Sequence, residues 1–181
     1  GMAIGLGAEP GIHRLAGMLG ILKAGGVCVL LDPTDPAARL KDIVADAGIG
    51  LLVGDSALEA SLQWPRTQAL WFDADTVEII SAASDRICVT NENTVDRAAI
   101  VVYGPGLDGR QRGAAFTHRA ITNALQGLIE SLDLSGDDRI LATAAPATSD
   151  AIVESLLPMA LGAELILASP SEARDGEALA R

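Results

Sequence analysis

The stretch IVVYGPGLDGRQRGAAFTHRAI, residues 100–121, decides how the rest of the chain is interpreted. Its first four residues are apolar and mostly β-branched, which predicts a buried strand over residues 100–103. A turn-rich loop follows over residues 104–109, and then the basic tripeptide at 110–112. A strand, a glycine-rich loop and a basic residue are the usual parts of a phosphate cradle, because successive backbone N–H groups can point at an anion.

The glycines of this loop do not make a dinucleotide site. Gly104, Gly106 and Gly109 fit the GxGxxG fingerprint, but that fingerprint needs a helix to open directly on the loop. Here a β-like run over residues 114–117 intervenes, and we expect the helix to begin near residue 117 or 118. The Walker form also fails, because Arg110 and Gln111 stand where Lys and Ser/Thr are required. A nicotinamide or flavin site is therefore disfavoured.

Composition and charge exclude several classes of protein. The 181 residues are 49% hydrophobic, which excludes a disordered chain, and only 3% aromatic, which predicts an aliphatic core. A net charge of −11 disfavours nucleic acid and anionic membranes as partners. No apolar run approaches the ~20 residues of a membrane span, and the opening residues do not resemble a secretory signal. Cys28 and Cys88 lie far apart and outside any CxxC, so we expect two reduced thiols in a cytoplasmic protein.

Strand and helix patterns alternate along the chain, which predicts an α/β fold in α/β/α layers around a mostly parallel sheet. We interpret residues 1–181 as a single, partial domain. The remaining predicted strands cover residues 3–6, 27–31, 51–53, 69–72, 140–142 and 165–167. The predicted helices cover residues 10–24, 36–48, 57–62, 118–132 and 150–161. A polar loop is predicted over residues 81–96.

Three stretches together resemble one family, the adenylate-forming enzymes of the ANL superfamily, particularly the adenylation domains of nonribosomal peptide synthetases. LKAGGVCVLLDPTDPAARL, residues 22–40, is similar to an early helix–strand–loop of that domain. The central stretch resembles its phosphate loop, YTSGSTGxPKG followed by HR. Six residues keep the register without gaps: Tyr103, Gly106, Gly109, Gly113, His118 and Arg119. The third stretch, residues 149–167, shares a recurring set of four residues: Glu154, Pro158, Gly162 and Ala163.

The resemblance implies ATP- and Mg²⁺-dependent activation of a carboxylic or amino acid as an acyl-adenylate, followed by transfer to a carrier thiol. It covers the middle of the family's large N-terminal subdomain. It begins after that subdomain's first strands and ends at Arg181, before the adenine- and ribose-binding motifs and the C-terminal subdomain with its catalytic lysine. We therefore expect a truncated adenylation-like domain.

The loop also departs from the family motif in ways that predict a vestigial phosphate site. Pro105 has no N–H to donate, and Leu107-Asp108 replaces the hydroxyl pair. Asp108 would repel a triphosphate by roughly 1–4 kcal/mol per unit charge at about 4 Å. Arg112 keeps the cation of the family lysine without its geometry. The vestigial loop comprises Gly104, Gly106, Leu107, Asp108, Gly109, Arg112 and Gly113.

Other candidate residues favour structural roles. His118 has no evident Ser or Cys nucleophile beside it, so we interpret it as a helix-start residue. Glu154 lies at helical spacing before two leucines, which indicates a structural carboxylate. The family's Phe-Asp pair, which can hold a substrate ammonium, aligns with Thr148-Ser149, and Asp150 is one position off. No His, Cys and carboxylate cluster has metal-ligand spacing, so we predict no catalytic residue, no metal and no cofactor.

These observations lead to two hypotheses. The first is a catalytically inactive adenylation-like domain of a nonribosomal peptide synthetase or hybrid assembly line in natural product biosynthesis. Its role would be structural or docking, with neighbouring domains or a second copy as the partner. We expect the strands at residues 3–6 and 165–167 to be unpaired edges in a contact of at least ~1,000 Å². The alternative is a fragment of an active AMP-forming acyl or aminoacyl ligase.

Overall fold

Helices and strands alternate along the chain in the computed structural model, which describes residues 1–82, 95–106, 111–169 and 171–179. Cys88 and most of the predicted 81–96 loop lie outside these ranges. The strands are β1 (Ala3–Gly7), β2 (Val27–Leu30), β3 (Leu51–Gly54), β4 (Ala69–Trp71), β5 (Ala98–Pro105), β6 (Gln111–Thr117), β7 (Arg139–Ala142) and β8 (Glu164–Leu167). The helices are α1 (Ile12–Lys23), α2 (Ala37–Ala47), α3 (Ala57–Leu62), α4 (Thr76–Ser81), α5 (His118–Leu132), α6 (Ser149–Leu161) and α7 (Gly176–Leu179).

The described strands form two sheets. The larger sheet has six strands in the order β4-β3-β1-β2-β5-β6, and the smaller one pairs β7 with β8. All pairs are parallel except β5 with β6, which form an antiparallel hairpin. The prediction of an α/β fold with a mostly parallel sheet is confirmed. The division into two sheets was not predicted.

The prediction that the first strand is an unpaired edge is wrong. β1 lies in the interior of the large sheet, where Ile4 is paired with Cys28 of β2 on one side and with Leu51 of β3 on the other. The physical reason is that both faces of β1 are apolar and covered, since Ile4 and Leu6 belong to the buried cluster on one face and Ala3 packs against the cluster on the other. The last strand, β8, has only β7 beside it among the described residues.

The large sheet is covered on both faces by aliphatic side chains, as the low aromatic content predicts. One face packs against α1, with Met18 and Ile21 in the buried cluster. The other face packs against α2, with Leu40 and Ile43. Cys28 of β2 is buried in the first cluster, in agreement with a buried thiol at this position.

The placement of α1 and α2 creates a crevice in the large sheet. α1 leads from β1 to β2, whereas α2 leads from β2 back across β1 to β3, and the two helices cover opposite faces. The loops that leave β1 and β2 therefore turn in opposite directions at the carboxyl edge. Such a switch point is where open α/β sheets usually bind ligands.

Several helix ends follow the sequence signals. α2 and α6 end at Gly48 and Gly162, both in the left-handed region. α5 begins at His118, and the Thr117 side chain accepts a hydrogen bond from the Ala120 N–H at 3.1 Å. The helix α4 was not predicted, and its last residue, Ser81, is the first residue of the predicted polar loop.

Candidate functional site

The β5–β6 hairpin contains both arms of the predicted vestigial phosphate loop. Its ladder pairs Tyr103 with Gly113, Gly104 with Arg112, and Pro105 with Gln111. Four of the seven predicted loop residues, Gly104, Gly106, Arg112 and Gly113, lie within the described ranges, whereas Leu107, Asp108 and Gly109 lie outside them. The structure therefore places the two arms of the loop side by side at the carboxyl end of β5.

Tyr103 connects this hairpin to the helix α2. Its hydroxyl donates to the Asp46 carboxylate at 2.6 Å. Burial, together with that hydrogen bond and the carboxylate charge, raises the pKa of Tyr103 to about 12. A Cβ on Gly113 would lie 3.0 Å from the Tyr103 ring, so glycine lets the second arm cross the ring closely.

The two residues that start α5 are positioned by the fold rather than by a substrate. His118 donates its backbone N–H to the Arg97 carbonyl at 3.2 Å. The Arg119 guanidinium binds the Asp96 carboxylate through Nε at 2.6 Å and through Nη2 at 3.0 Å. This bidentate pair lowers the pKa of Asp96 and raises that of Arg119. The Arg119 guanidinium therefore already has an ion-pair partner within its own chain.

Glu154 has a clear structural task. Its Oε2 accepts the backbone N–H of Thr143 at 2.8 Å and that of Ala144 at 2.7 Å, immediately after β7. The carboxylate thus connects α6 to the loop that leaves the small sheet. The neighbouring start of α6 is capped by Thr148, whose hydroxyl accepts the Ala151 N–H at 3.3 Å, while Asp150 is exposed to solvent.

A cleft of about 250 Å³ lies at the carboxyl ends of the strands, and sequence reasoning did not find it. It is bounded by the loops that follow β1 and β2, by the loop from β7 to α6, and by the residues after β8. The charged lining residues are Glu9, Arg14, Asp32, Glu154 and Arg174.

Arg14 is the unexpected member of this cleft. It is 6% exposed, and its Nη2 has no hydrogen-bond partner. Burial lowers the pKa of Arg14 to about 10, although the Cys28 and Asp32 side chains act in the opposite direction, so the guanidinium is charged at neutral pH. Burial also raises the pKa of the Cys28 thiol to about 12. The available sequence signal was spacing, because Arg14 precedes the buried Met18 and Ile21 at helical intervals.

Metal and membrane sites receive no support in the part of the chain that the structure describes. Across residues 1–82, 95–106, 111–169 and 171–179, no three His, Cys, Asp or Glu side chains are grouped so that they could hold a metal ion. The helices within the same ranges include none with the length and apolar character needed to cross a bilayer.

Comparison with known proteins places the chain in a family. The family described as AMP-binding enzyme matches residues 1–181. The chain is 30% identical over 185 residues to a dimodular nonribosomal peptide synthase of Bacillus subtilis, covering 99% of this chain and 8% of that protein. It is 30% identical over 173 residues to tyrocidine synthase 3 of Brevibacillus parabrevis, covering 95% of this chain and 3% of that protein. The chain thus spans less than a tenth of the length of these relatives.

Solved structures agree with the fold. The nonribosomal peptide synthetase FmoA3, in a form bound to α-methyl-L-serine-AMP, superimposes with a TM-score of 0.86 at 25% identity, over 99% of this chain and 20% of that one. The N-terminal subdomain of Klebsiella oxytoca NpsA superimposes with a TM-score of 0.83 at 23% identity, over all of this chain and 44% of that one. The second likeness supports the fold alone.

Proposed function

Because this chain belongs to the AMP-binding enzyme family and corresponds to part of a nonribosomal peptide synthetase adenylation domain, we propose that it is a catalytically inactive member. Its role in a cytoplasmic, multidomain synthetase is structural, as a platform for neighbouring domains. The observation that carries this proposal is the loop sequence GPGLDG at residues 104–109, which has neither hydroxyl side chains nor a complete set of N–H donors.

The physical argument concerns the charge and the donors that a triphosphate needs. Pro105 lacks an N–H donor, and Asp108 adds a negative charge to the loop. A triphosphate itself carries several negative charges, so the two would repel each other. The ladder ends where Pro105 is paired with Gln111, so residues 106–110 connect the two arms. In the sequence, Asp108 falls within the part of the loop at which the resemblance expects phosphate oxygens. These features support loss of nucleotide binding.

We expect the purified protein not to bind ATP–Mg²⁺ with a dissociation constant tighter than about 1 mM, which corresponds to about 4 kcal/mol. Isothermal titration calorimetry at neutral pH measures this directly. A micromolar constant would overturn the proposal. The matched control is the triple variant Leu107→Ser, Asp108→Thr, Arg112→Lys, which should bind ATP more tightly than the unmodified protein if these loop residues cause the loss.

The second candidate function is participation in an active AMP-forming ligase. It is favoured by the retained Tyr103, His118 and Arg119, which keep the family register. Acid-dependent pyrophosphate exchange tests this second candidate. We expect none from the unmodified protein or from the triple variant, because repairing the phosphate loop does not hold the other end of the nucleotide. Exchange by the unmodified protein would favour the ligase.

The docking role rests on the small sheet. Leu141 of β7 and Leu167 of β8 are each 37% exposed and lie on opposite faces of the pair, since Leu141 is in register with Ile166 and Leu167 with Ala142. β7 and β8 have only each other as strand partners within the described ranges. An exposed parallel pair with apolar side chains offers both an edge and a face to another folded segment. We therefore propose the small sheet as the docking surface, with a neighbouring synthetase domain or a second copy as its partner.

We expect the purified protein to self-associate at high concentration through this surface, burying at least ~1,000 Å² in total. Multi-angle light scattering should report a mass above that of one chain, and Leu141→Lys should return the mass to that of a monomer. The control is Leu70→Lys on β4, where the native leucine has the same 37% exposure but belongs to the large sheet. A monomeric wild type would exclude a second copy as the partner, and equal effects of both substitutions would contradict the assignment to the small sheet.

A further inference from the structure

We propose that the Asp75 carboxylate closes the free edge of the large sheet at β4, and that without it this edge pairs with β4 of a second copy of the chain. This inference does not rest on the proposed function. β4 ends the sheet, with β3 as its only strand partner among the described residues. A free edge strand presents unpaired N–H and C=O groups and is a template for pairing with another chain. In this protein the outward groups at the end of β4 are already occupied.

The backbone polar groups of Trp71, the last residue of β4, face the open side of the strand. The N–H of the next residue, Phe72, donates to the Gly54 carbonyl at the end of β3 at 2.8 Å. Successive residues of a strand direct their backbone groups to opposite sides, so the N–H and C=O of Trp71 point away from β3. A strand that paired with the end of β4 would need these two groups.

Asp75 binds both of these groups. Its Oδ2 accepts the Trp71 N–H at 2.7 Å, and its own backbone N–H donates to the Trp71 carbonyl at 2.7 Å. The first bond needs the carboxylate, whereas the second belongs to the turn that leads into α4. A similar contact lies just before β4, where the Trp64 Nε1 donates to the Gln68 carbonyl at 2.8 Å. Local groups of the same chain therefore cover both ends of this edge.

Arg66 holds the Asp75 carboxylate in this position. Its guanidinium donates to both carboxylate oxygens, through Nη1 to Oδ2 at 3.1 Å and through Nη2 to Oδ1. A bidentate pair of this kind fixes the orientation of the carboxylate as well as its charge. The Trp71 N–H and the Arg66 guanidinium together lower the pKa of Asp75, so the carboxylate is ionised at neutral pH and acts only as an acceptor.

The surface beside this edge suits a second copy of the chain. Leu70 of β4 is 37% exposed, and Val77 and Ile80 are 75% and 78% exposed on α4, which begins directly after Asp75. Two β4 strands related by a two-fold axis pair antiparallel, so that each strand offers the other the same outward backbone groups. The contact is self-complementary and needs no other partner.

The test compares Asp75→Ala with its parent by sedimentation equilibrium and by amide hydrogen exchange in NMR spectra. Every protein carries Leu141→Lys, which removes the proposed contact through the small sheet, so the two proposals fail independently. We expect Asp75→Ala to self-associate at least about ten-fold more tightly than the parent. At low protein concentration its Trp71 amide should exchange at least about ten-fold faster, the loss typical of one hydrogen bond to a charged group, and high concentration should restore the protection. Unchanged association or unchanged Trp71 exchange would overturn the proposal.

Three further variants keep the test decisive. Glu78→Ala is the matched control, because it removes the same charge from an exposed position of α4, and it should change neither association nor Trp71 exchange. Leu70→Lys added to Asp75→Ala should restore the monomer, because it places a charge on both paired strands. Arg66→Ala decides the matter if Asp75→Ala does not fold. Arg66 is 47% exposed, and its loss should speed Trp71 exchange by at least about three-fold.

Equal effects of Glu78→Ala and Asp75→Ala would contradict the proposal, because they would assign the change to net charge. Association that Leu70→Lys does not reverse would show aggregation unrelated to β4. Unchanged Trp71 exchange in Arg66→Ala would show that Arg66 does not hold the carboxylate in place.

Discussion

Gly54→Ala is expected to destabilise the fold by about 4 kcal/mol or more, an exceptionally large effect for the addition of one methyl group. Gly54 ends β3 and is paired with Gly7 of β1 in the parallel ladder. A Cβ on Gly54 would lie 2.1 Å from the Gly7 carbonyl oxygen and 2.7 Å from its carbonyl carbon. Both atoms belong to the backbone, so no side-chain rotation relieves the contact and the strands must separate. Urea denaturation followed by circular dichroism measures the loss.

Gly20→Ala is the matched control for this substitution. Gly20 lies inside α1, and a Cβ there would have no atom within 4 Å. The same chemical change should therefore stabilise the protein by about 0.5–1 kcal/mol through helix propensity. Similar destabilisation by both substitutions would show that the close approach of β1 and β3 is not what makes glycine necessary at position 54.

Glu154→Ala is expected to destabilise the fold by about 3 kcal/mol. The substitution leaves the Thr143 and Ala144 N–H groups without their shared carboxylate, and hydrogen bonds to charged groups contribute roughly 1.5–3 kcal/mol each. Because Glu154 is partly exposed, we expect each of the two hydrogen bonds to contribute near the lower end of that range, about 1.5 kcal/mol. Glu154→Gln retains an acceptor oxygen and should cost about 1 kcal/mol. Denaturant midpoints of the two variants, compared with the wild type, give the difference.

The control for Glu154 is Glu164→Ala. Glu164 is also a hydrogen-bonded carboxylate of this region, but its partner is the exposed Arg139 side chain rather than the backbone. An exposed ion pair is worth about 1 kcal/mol or less, so this variant should stay close to the wild type. Equal losses at positions 154 and 164 would show that Glu154 does not organise the loop after β7.

The sequence predicted the parallel layers because parallel strands leave a strong signal. The continuous aliphatic runs around Val29 and Leu52 are buried on both faces, and glycines such as Gly48 and Gly162 end the intervening helices in the left-handed conformation. Both features are local and can be seen in one stretch of chain. They predicted the class of fold and most element bounds without knowledge of strand order.

Strand order and the cleft depend on contacts that a local pattern does not contain. The apolar run of β1 predicted a strand but not its neighbours, and the expected edge proved to be a central position between β2 and β3. Arg14 was overlooked for a similar reason. Its helix was assigned from its apolar residues, whereas the significance of a guanidinium on the buried side appears only when the loops after β2 and β7 close around it.

The pairing of β5 with β2 has a consequence for the order in which the chain folds. The first 71 residues contain the four strands β1 to β4, which are neighbours in the large sheet. This four-stranded portion can therefore assemble before β5 has been synthesised. The open side of β2, with Cys28 and Val29, must then wait for Ile100 and Val101 to emerge. At about 5–20 residues per second, the ribosome needs roughly 1.5–6 seconds to make the stretch between Trp71 and Ile100. During that interval a buried strand of the finished protein is an exposed, apolar edge, and this is the stage at which nascent chains should be most prone to aggregate.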